Sequence, residues 1–267
     1  MATSAAEKRA AFRRLHESGC FVLPNPWDVG SAKILQHLGF RALATTSAGM
    51  AWSMGRADGQ VSLDEVLLHL SSLAHGSDLP LNADFENGFA DAPDEVAKNV
   101  ALAVDTGVAG LSVEDYSGSA LYDFDLAVAR VAAARAAIDR TGSGVVLTGR
   151  AEGFIRGAPD LDEVVRRLKA YSAAGADCLY APGIRDEAQI RAVVQAVAPK
   201  PVNLLSPGIP VSTAESYGVR RISLGGALAG VAFAAALSAA QEIVDKGTFT
   251  AFAGSAGGRL LNPIFSK

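Results

Sequence analysis

A chain of 267 residues, 49% hydrophobic and 19% charged, is long enough to bury one large core or two modest ones. Its formal charge of -4, with no run of Lys and Arg, gives no electrostatic footprint for nucleic acid or an anionic membrane surface. Two cysteines, Cys20 and Cys178, exclude a disulfide framework and a thiolate metal site and fit a reducing cytoplasm.

From the N-terminus, residues 1–19 alternate charge with Ala, Phe12 and Leu15 and lack the continuous apolar core of a secretory signal. An amphipathic helix over 4–18 is predicted there, placed to cover the open bottom of a barrel. Apolar runs at 21–24, 42–45, 81–84, 110–113, 145–148, 178–180, 202–205 and 221–224 read as strands. Between them, 31–38, 63–73, 93–105, 126–138, 161–174 and 188–197 carry apolar residues at helical spacing. Ala92-Pro93 with Glu95 starts one helix, Thr106-Gly107 ends it, and Ala174-Gly175 ends another.

Eight such strand and helix units, at intervals suited to right-handed crossovers, predict an α/β fold, a closed (β/α)8 TIM barrel forming one domain over 1–267. Cys178, inside an apolar strand, and Cys20 are expected to pack as small hydrophobes. The segment 227–240 is rich in Ala and interrupted by Gly230 and Ser238, so a buried helix too short to span a bilayer is expected. The extension 247–267 carries Phe249, Phe252, Leu260, Leu261, Ile264 and Phe265, more apolar than a free tail, and is expected to pack on another surface, that of a neighbouring subunit being one candidate.

Three predicted strands run into acids or an arginine: Asp84-Phe85-Glu86, Glu114-Asp115, and Gly149-Arg150-Ala151-Glu152. Chemistry in parallel α/β proteins collects at the carboxyl ends of the strands. Asp84 and Glu86, two apart, share one face of an extended strand end, and Glu114 and Asp115 arrive from the next strand. Such a set suits Mg2+ or Mn2+ better than zinc; a solvated, hydrogen-bonded strand end is the plain alternative. Arg150 could clamp a substrate carboxylate or balance the acids in a structural ion pair.

Thr45-Thr46-Ser47-Ala48-Gly49 could present backbone N–H groups to an anion or serve only as a turn. His16, His37, His69 and His75 fall in helical patterns or at helix ends, with solvent-facing or capping roles expected. Acid–base work then falls to carboxylates, Tyr116, Tyr122, Tyr180 or a water activated by a cation.

The ordered set Asn25-Pro26-Trp27-Asp28, Thr46-Ser47, Gly55-Arg56-Ala57-Asp58, Asp84-Phe85-Glu86-Asn87-Gly88-Phe89, Val113-Glu114-Asp115 and Gly149-Arg150-Ala151-Glu152 resembles the isocitrate lyase/phosphoenolpyruvate mutase superfamily over residues 20–245. The resemblance implies a (β/α)8 barrel with Mg2+ in its mouth, acting on 2-oxo acids or related carboxylates through an enolate. It implies Asp84 as direct metal ligand, with Glu86 and Glu114 holding metal waters. Ser47, Ala48, Gly49 and Arg150, with Trp27 and Asn203, become the expected substrate contacts. Asp58, Arg150, Glu114 and Tyr116 become the expected catalytic groups, and a homo-oligomer exchanging C-terminal helices is implied, as dimer or tetramer.

Two departures narrow the activity. Where the lyases carry Lys-Cys-Gly-His on a gating loop, this chain reads Tyr116-Ser117-Gly118-Ser119-Ala120-Leu121-Tyr122-Asp123, which disfavours isocitrate or methylisocitrate cleavage by the usual route. The same loop lacks the lysine and asparagine of the phosphonate branch, disfavouring phosphoenolpyruvate mutase chemistry. Glu86 and Glu152 stand where many members have Asp. The expected activity is a Mg2+-dependent cytoplasmic carbon-carbon lyase of a small 2-oxo or hydroxy dicarboxylic acid, such as an oxaloacetate decarboxylase or a malate-type retro-aldol lyase. The alternatives are a carbon-phosphorus bond enzyme such as phosphonopyruvate hydrolase, and a catalytically weak 2-oxo acid binding protein.

Overall fold

The computed structural model describes residues 3–205 and 208–266. Its strands are β1 (Phe21–Leu23), β2 (Leu43–Ala44), β3 (Leu81–Asp84), β4 (Gly110–Glu114), β5 (Val146–Arg150), β6 (Cys178–Tyr180), β7 (Val202–Leu205) and β8 (Arg221–Ser223). All pair in parallel, in the order β1-β8-β7-β6-β5-β4-β3-β2. Between the two end strands, Ala44 N donates to Pro24 O at 3.0 Å, so the sheet is a nearly closed barrel. The register sets Glu114 beside Arg150 and Arg150 beside Tyr180, so β4, β5 and β6 deliver their last residues to one level of the rim.

The helices are α1 (Ala5–Leu15), α2 (Val29–His37), α3 (Ser47–Ser53), α4 (Leu63–Gly76), α5 (Pro93–Asp105), α6 (Phe124–Thr141), α7 (Leu161–Ala173), α8 (Glu187–Val197), α9 (Val211–Ser216), α10 (Ala227–Lys246) and α11 (Gly258–Phe265). Side chains of Asp28, Thr46, Ser62, Asp160 and Asp186 accept from the first free N–H groups of α2, α3, α4, α7 and α8. Each helix therefore starts where a rim loop ends, which fixes the length of that loop.

Helix α1 closes the bottom of the barrel, as its pattern predicts. Phe12, fully buried, joins Leu15, Phe21, Leu23, Ala42, Ala44, Ala109 and Val146 in a cluster of its own. A Cβ at Gly110 would come within 2.6 Å of the Phe12 ring, so only glycine there lets the plug seat. The basic residues of α1 satisfy carbonyls that strand and helix ends leave open: Lys8 Nζ donates to Ala74 O and Ser77 O, and Arg9 to Val104 O and Val108 O.

His16 caps α1 and sits between Phe12 and Phe21, with ring centroids 4.7 and 5.2 Å away. Burial, and then the charge of Arg221, push its pKa down to about 3. The folded state thus refuses a proton that the unfolded chain accepts below the ordinary histidine value. Stability from this source is intact above pH ~6.5 and is lost as pH falls toward 3, by roughly 3–5 kcal/mol in all. Urea titrations from pH 7 to 4 should show that slope, and His16→Gln should flatten it.

Four expectations are corrected. The 45–49 stretch, open to a plain turn reading, starts the helix α3, because the Thr46 hydroxyl caps it at Gly49 N. Helices α9 and α11 were not predicted, the first being short and the second holding Pro263 inside. The apolar segment from Ala227 is not buried: α10 runs 20 residues to Lys246, and Ala229 is its one buried residue. By length and composition α10 is also long and apolar enough to cross a membrane, contrary to the expectation of a shorter segment.

Candidate active site

At the end of β3 the chain leaves the sheet through two left-handed residues, Glu86 (φ 45°) and Phe89 (φ 55°), a conformation that costs energy without glycine. The loop is clamped from outside. The fully buried Arg130 of α6 donates to Ala90 O at 2.5 Å, to Asp91 O at 2.8 Å and to Asn87 O. Its guanidinium lies 3.9 Å from the ring of Tyr122, whose hydroxyl donates to Asp91 Oδ1. Glu86 is thereby held over the barrel mouth.

Arg150 stands at the centre. Its Nη1 lies 3.0 Å from Asp84 Oδ1 and 3.1 Å from Glu114 Oε2, and its Nε lies 2.5 Å from Glu152 Oε1. Burial alone would lower the guanidinium pKa, but Glu114, Glu152 and Asp84 together raise it well above its ordinary value. No described residue engages Nη2, so one arm of the fork remains for a ligand. Asp84 is fixed further: Oδ2 accepts from Ser47 N at 3.2 Å, and its own N–H donates to Thr45 Oγ1 at 2.8 Å.

The Glu86 carboxylate makes no hydrogen bond or ion pair among the described residues. Burial, then Asp84 and Asp58, push its pKa up to about 7. Burial also pushes the Glu114 carboxyl up, against the pull of Arg150. Both shifts favour the neutral acid when no cation is bound. Tyr180, facing Arg150 with 5.3 Å between guanidinium and ring, has its phenol pushed up to about 12 by burial.

Ser47, Ala48, Asp58, Asp84, Arg150 and Asn203 line one cavity of about 190 Å3 that runs into the barrel. Glu86, Glu114 and Tyr116 line an adjoining outer cleft that shares Ser47, Asp58 and Arg150. Most of the expected site residues are thus brought together. Trp27 and Gly49 line neither space: Gly49 is buried against the Trp27 side chain, and its N–H is spent on Thr46 Oγ1.

Asp115 also departs from the expected acid set. It turns away from the mouth and accepts from Glu152 N at 2.8 Å, Arg167 Nη1 at 3.1 Å and Tyr171 Oη at 2.6 Å. It is a buried brace that fixes the backbone of Glu152. His69 is not solvent-facing: its Nε2 is buried behind Thr46 and Ser47 without a hydrogen-bond partner among the described residues, while His16, the cap of α1, lies beneath the barrel.

Arg156 is a further residue of the mouth, outside every motif of the sequence. It follows β5 by one turn, pairs with Glu152 at 3.0 Å, approaches Glu114 at 3.9 Å and stacks 4.0 Å over the Tyr116 ring. Its signal was faint, a single Arg six residues beyond Arg150. The loop carrying Tyr116 is a short hairpin: Tyr116 bridges Leu121, Ser117 N donates to Ala120 O, and Tyr122 N donates to Asp115 O.

The family model for phosphoenolpyruvate phosphomutase matches residues 12–244. The chain belongs to this family. Among solved structures, one from Burkholderia cenocepacia J2315, described as a candidate lyase or mutase, is 43% identical with a TM-score of 0.96, covering 98% of each chain. A 2,3-dimethylmalate lyase of the phosphoenolpyruvate mutase/isocitrate lyase superfamily is 29% identical with a TM-score of 0.86, over 99% of this chain and 95% of that one. The oxaloacetate decarboxylase of Paraburkholderia xenovorans LB400 is 32% identical over 215 residues, 76% of this chain and 69% of that protein. The superfamily expected from the ordered motifs is therefore established, and with it an enzyme of the lyase and mutase kind.

Proposed function

We propose that this family member is a Mg2+-dependent lyase that breaks a carbon-carbon bond of a small 2-oxo or hydroxy dicarboxylic acid through an enolate. The observation that carries the reading is the Arg150 fork, fixed by three acids with Nη2 uncommitted, beside the unpartnered Glu86 carboxylate. Relatives named oxaloacetate decarboxylase and 2,3-dimethylmalate lyase support the substrate class.

The donor chemistry fits Mg2+, with Mn2+ as substitute. The available groups are hard carboxylate oxygens, and a divalent cation would favour the charged form of Glu86, whose carboxyl burial, Asp84 and Asp58 push up. Among the described residues no three His, Cys, Asp or Glu side chains stand together as a ready metal-holding group, and Mg2+ is ordinarily bound through one or two carboxylates and several waters. Asp84 would hold it, with Glu86 and Glu114 binding its waters. A bound Mg2+ would supply Lewis-acid stabilisation of charge on the substrate's 2-oxygen.

The protein's own groups do the rest. Arg150 Nη2 binds the substrate carboxylate, with Ser47 and Ala48 forming the wall at the start of α3. In decarboxylation the bond to the departing carboxylate breaks, its electron pair becomes the enolate, and the Tyr116 hydroxyl returns a proton to carbon. In retro-aldol cleavage Asp58 removes the hydroxyl proton, the hydroxyl carbon becomes a carbonyl as its bond to the neighbouring carbon breaks, and that electron pair becomes the enolate of the other fragment, which Tyr116 protonates. Arg156, stacked over the Tyr116 ring, holds that side chain at the outer cleft.

Proton NMR in D2O tests this, with Mg2+ or EDTA and a panel of oxaloacetate, substituted malates, methylisocitrate and phosphonopyruvate. Pyruvate, glyoxylate or a deuterated 2-oxo acid formed only with metal is the expected result. Turnover of phosphonopyruvate alone would move the protein to the carbon-phosphorus branch, and line broadening without turnover would make it a binding protein.

We also propose that a second copy of this chain covers α10 and the C-terminal extension. Val231, Leu237 and Val244 are 69%, 70% and 79% exposed on one long apolar helix. Light scattering should give at least twice the 27.5 kDa chain mass; a monomer would contradict the proposal.

A further inference from the structure

Below its mouth the barrel is polar, where such barrels are ordinarily filled by Val, Ile and Leu. Asn82, Ser112, Thr148, Asn203 and Arg221 are each no more than 5% exposed. Arg221 is the anomaly. Its Nε donates to Asn203 Oδ1 at 2.8 Å, its Nη2 to Thr148 Oγ1 at 3.0 Å, and its Nη1 to His16 Nε2 at 3.3 Å and Asn82 Oδ1 at 3.5 Å.

Every one of those partners is neutral. His16 Nδ1 faces Phe12 O at 2.8 Å, so the ring proton belongs on Nδ1 and Nε2 accepts from Arg221. No carboxylate among the described residues pairs with Arg221, whereas Arg150 and Arg167 have acids at 3.0 and 3.1 Å. A guanidinium does not deprotonate, and burying its charge uncompensated is costly. Four acceptors also serve five N–H donors, leaving one hydrogen over.

The group is not sealed off. Arg221 lines the floor of the cavity of about 190 Å3 whose upper wall is Arg150, together with Asn82, Ser112, Asn203 and Ser223. Since a water occupies about 30 Å3, the space holds several waters or a small organic anion. Thr148, which Arg221 touches, precedes Arg150 by two residues on β5, so the two guanidiniums belong to layers about 7 Å apart.

We propose that this floor is an anion subsite, in which Arg221, the second amide hydrogens of Asn82 and Asn203 and the Ser223 hydroxyl take a compact monovalent anion, a carboxylate group or a halide. The layer spacing admits two sources: the remote carboxylate of an acid whose other end lies at Arg150, or a free small ion. Either one supplies the missing charge and the missing acceptor.

Bromide soaked into crystals of the unaltered protein should give an anomalous peak in hydrogen-bond range of Arg221. In solution, formate at about ten times its Kd should raise the Tm by about 3 °C over a gluconate control of equal ionic strength. Arg221→Met should abolish that rise and Arg221→Lys should keep part of it.

Malonate separates the sources. A larger rise with malonate than with formate, lost in both Arg221→Met and Arg150→Gln, identifies a substrate arm. A formate rise that survives Arg150→Gln identifies a free ion. No bromide near Arg221, or an equal formate rise in wild type and Arg221→Met, overturns the proposal. Should Arg221→Met fail to fold, the bromide map of the wild-type protein decides.

Discussion

Asp84→Ala is expected to lower kcat/KM by at least about 10^3-fold, roughly 4 kcal/mol of lost transition-state stabilisation. The side chain is the crossing point of the mouth, bonded to Arg150 Nη1 and to Ser47 N, and lying beside Glu86. Its removal leaves Arg150 still paired with Glu114 and Glu152, so the variant should fold. The metal readout is independent of turnover. Folding raises the Glu86 pKa to about 7, so the metal-free protein loses stability as pH rises from the ordinary carboxylate range through 7.

A cation held at Asp84 and Glu86 removes that loss. The Tm rise on adding Mg2+ should therefore be larger at pH 8 than at pH 6, and should vanish in Asp84→Ala. An equal rise at both pH values, or a rise that survives the substitution, would place the cation elsewhere.

Arg150→Gln should act on fold and chemistry together. The guanidinium is the shared counter-charge of Asp84, Glu114 and Glu152, with Glu152 fully buried. Removing one partner of a buried ion pair costs about 3–5 kcal/mol, which in a chain of this size lowers Tm by about 10 °C. Part of the loss should be recovered by lowering the pH to 5, where Glu114, whose carboxyl burial pushes up, accepts a proton. Activity should fall further than Asp84→Ala predicts at equal substrate, because the carboxylate clamp is lost as well. Arg150→Lys, which keeps the charge but not the fork, should recover more stability than activity.

Legibility of the fold followed the strength of each local signal. The alternation of apolar runs with helical spacing is repeated so often that β1 to β8 and most covering helices could be placed from periodicity, and the ends of β3, β4 and β5 marked the chemistry. Side-chain direction was less accessible. Glu114 and Asp115 are adjacent acids at a strand end, yet opposite pleat faces send the first to the mouth and the second to Arg167 and Tyr171 behind it.

Arg156 and Arg221 were missed because no motif surrounds them; one enters through a short turn after β5, the other through an inward position on β8. The buried reading of α10 failed for a different reason. Apolar composition shows that a helix needs a partner surface, but not that the surface lies within the same chain.

Glycine and loop chemistry gave mixed guidance. Thr46 and Ser47 were noticed for their hydroxyls, and the structure uses the first as a helix cap and the second's backbone to hold Asp84. Gly49 stands out for its backbone, and the Thr46 hydroxyl takes its N–H. In both places residue type identified the right neighbourhood, while the hydrogen-bond partners decided the role.

The central claim is that Asp84 would hold a divalent cation beside Arg150, where it would supply Lewis-acid stabilisation to an enolate. Oxalate, a planar dianion with two adjacent carboxylates, mimics that enolate in shape and charge, and isothermal calorimetry can follow its binding without turnover. The account predicts binding with Mg2+ present, none in EDTA, and none in Asp84→Ala with Mg2+. Equal oxalate affinity with Mg2+ and with EDTA would contradict it.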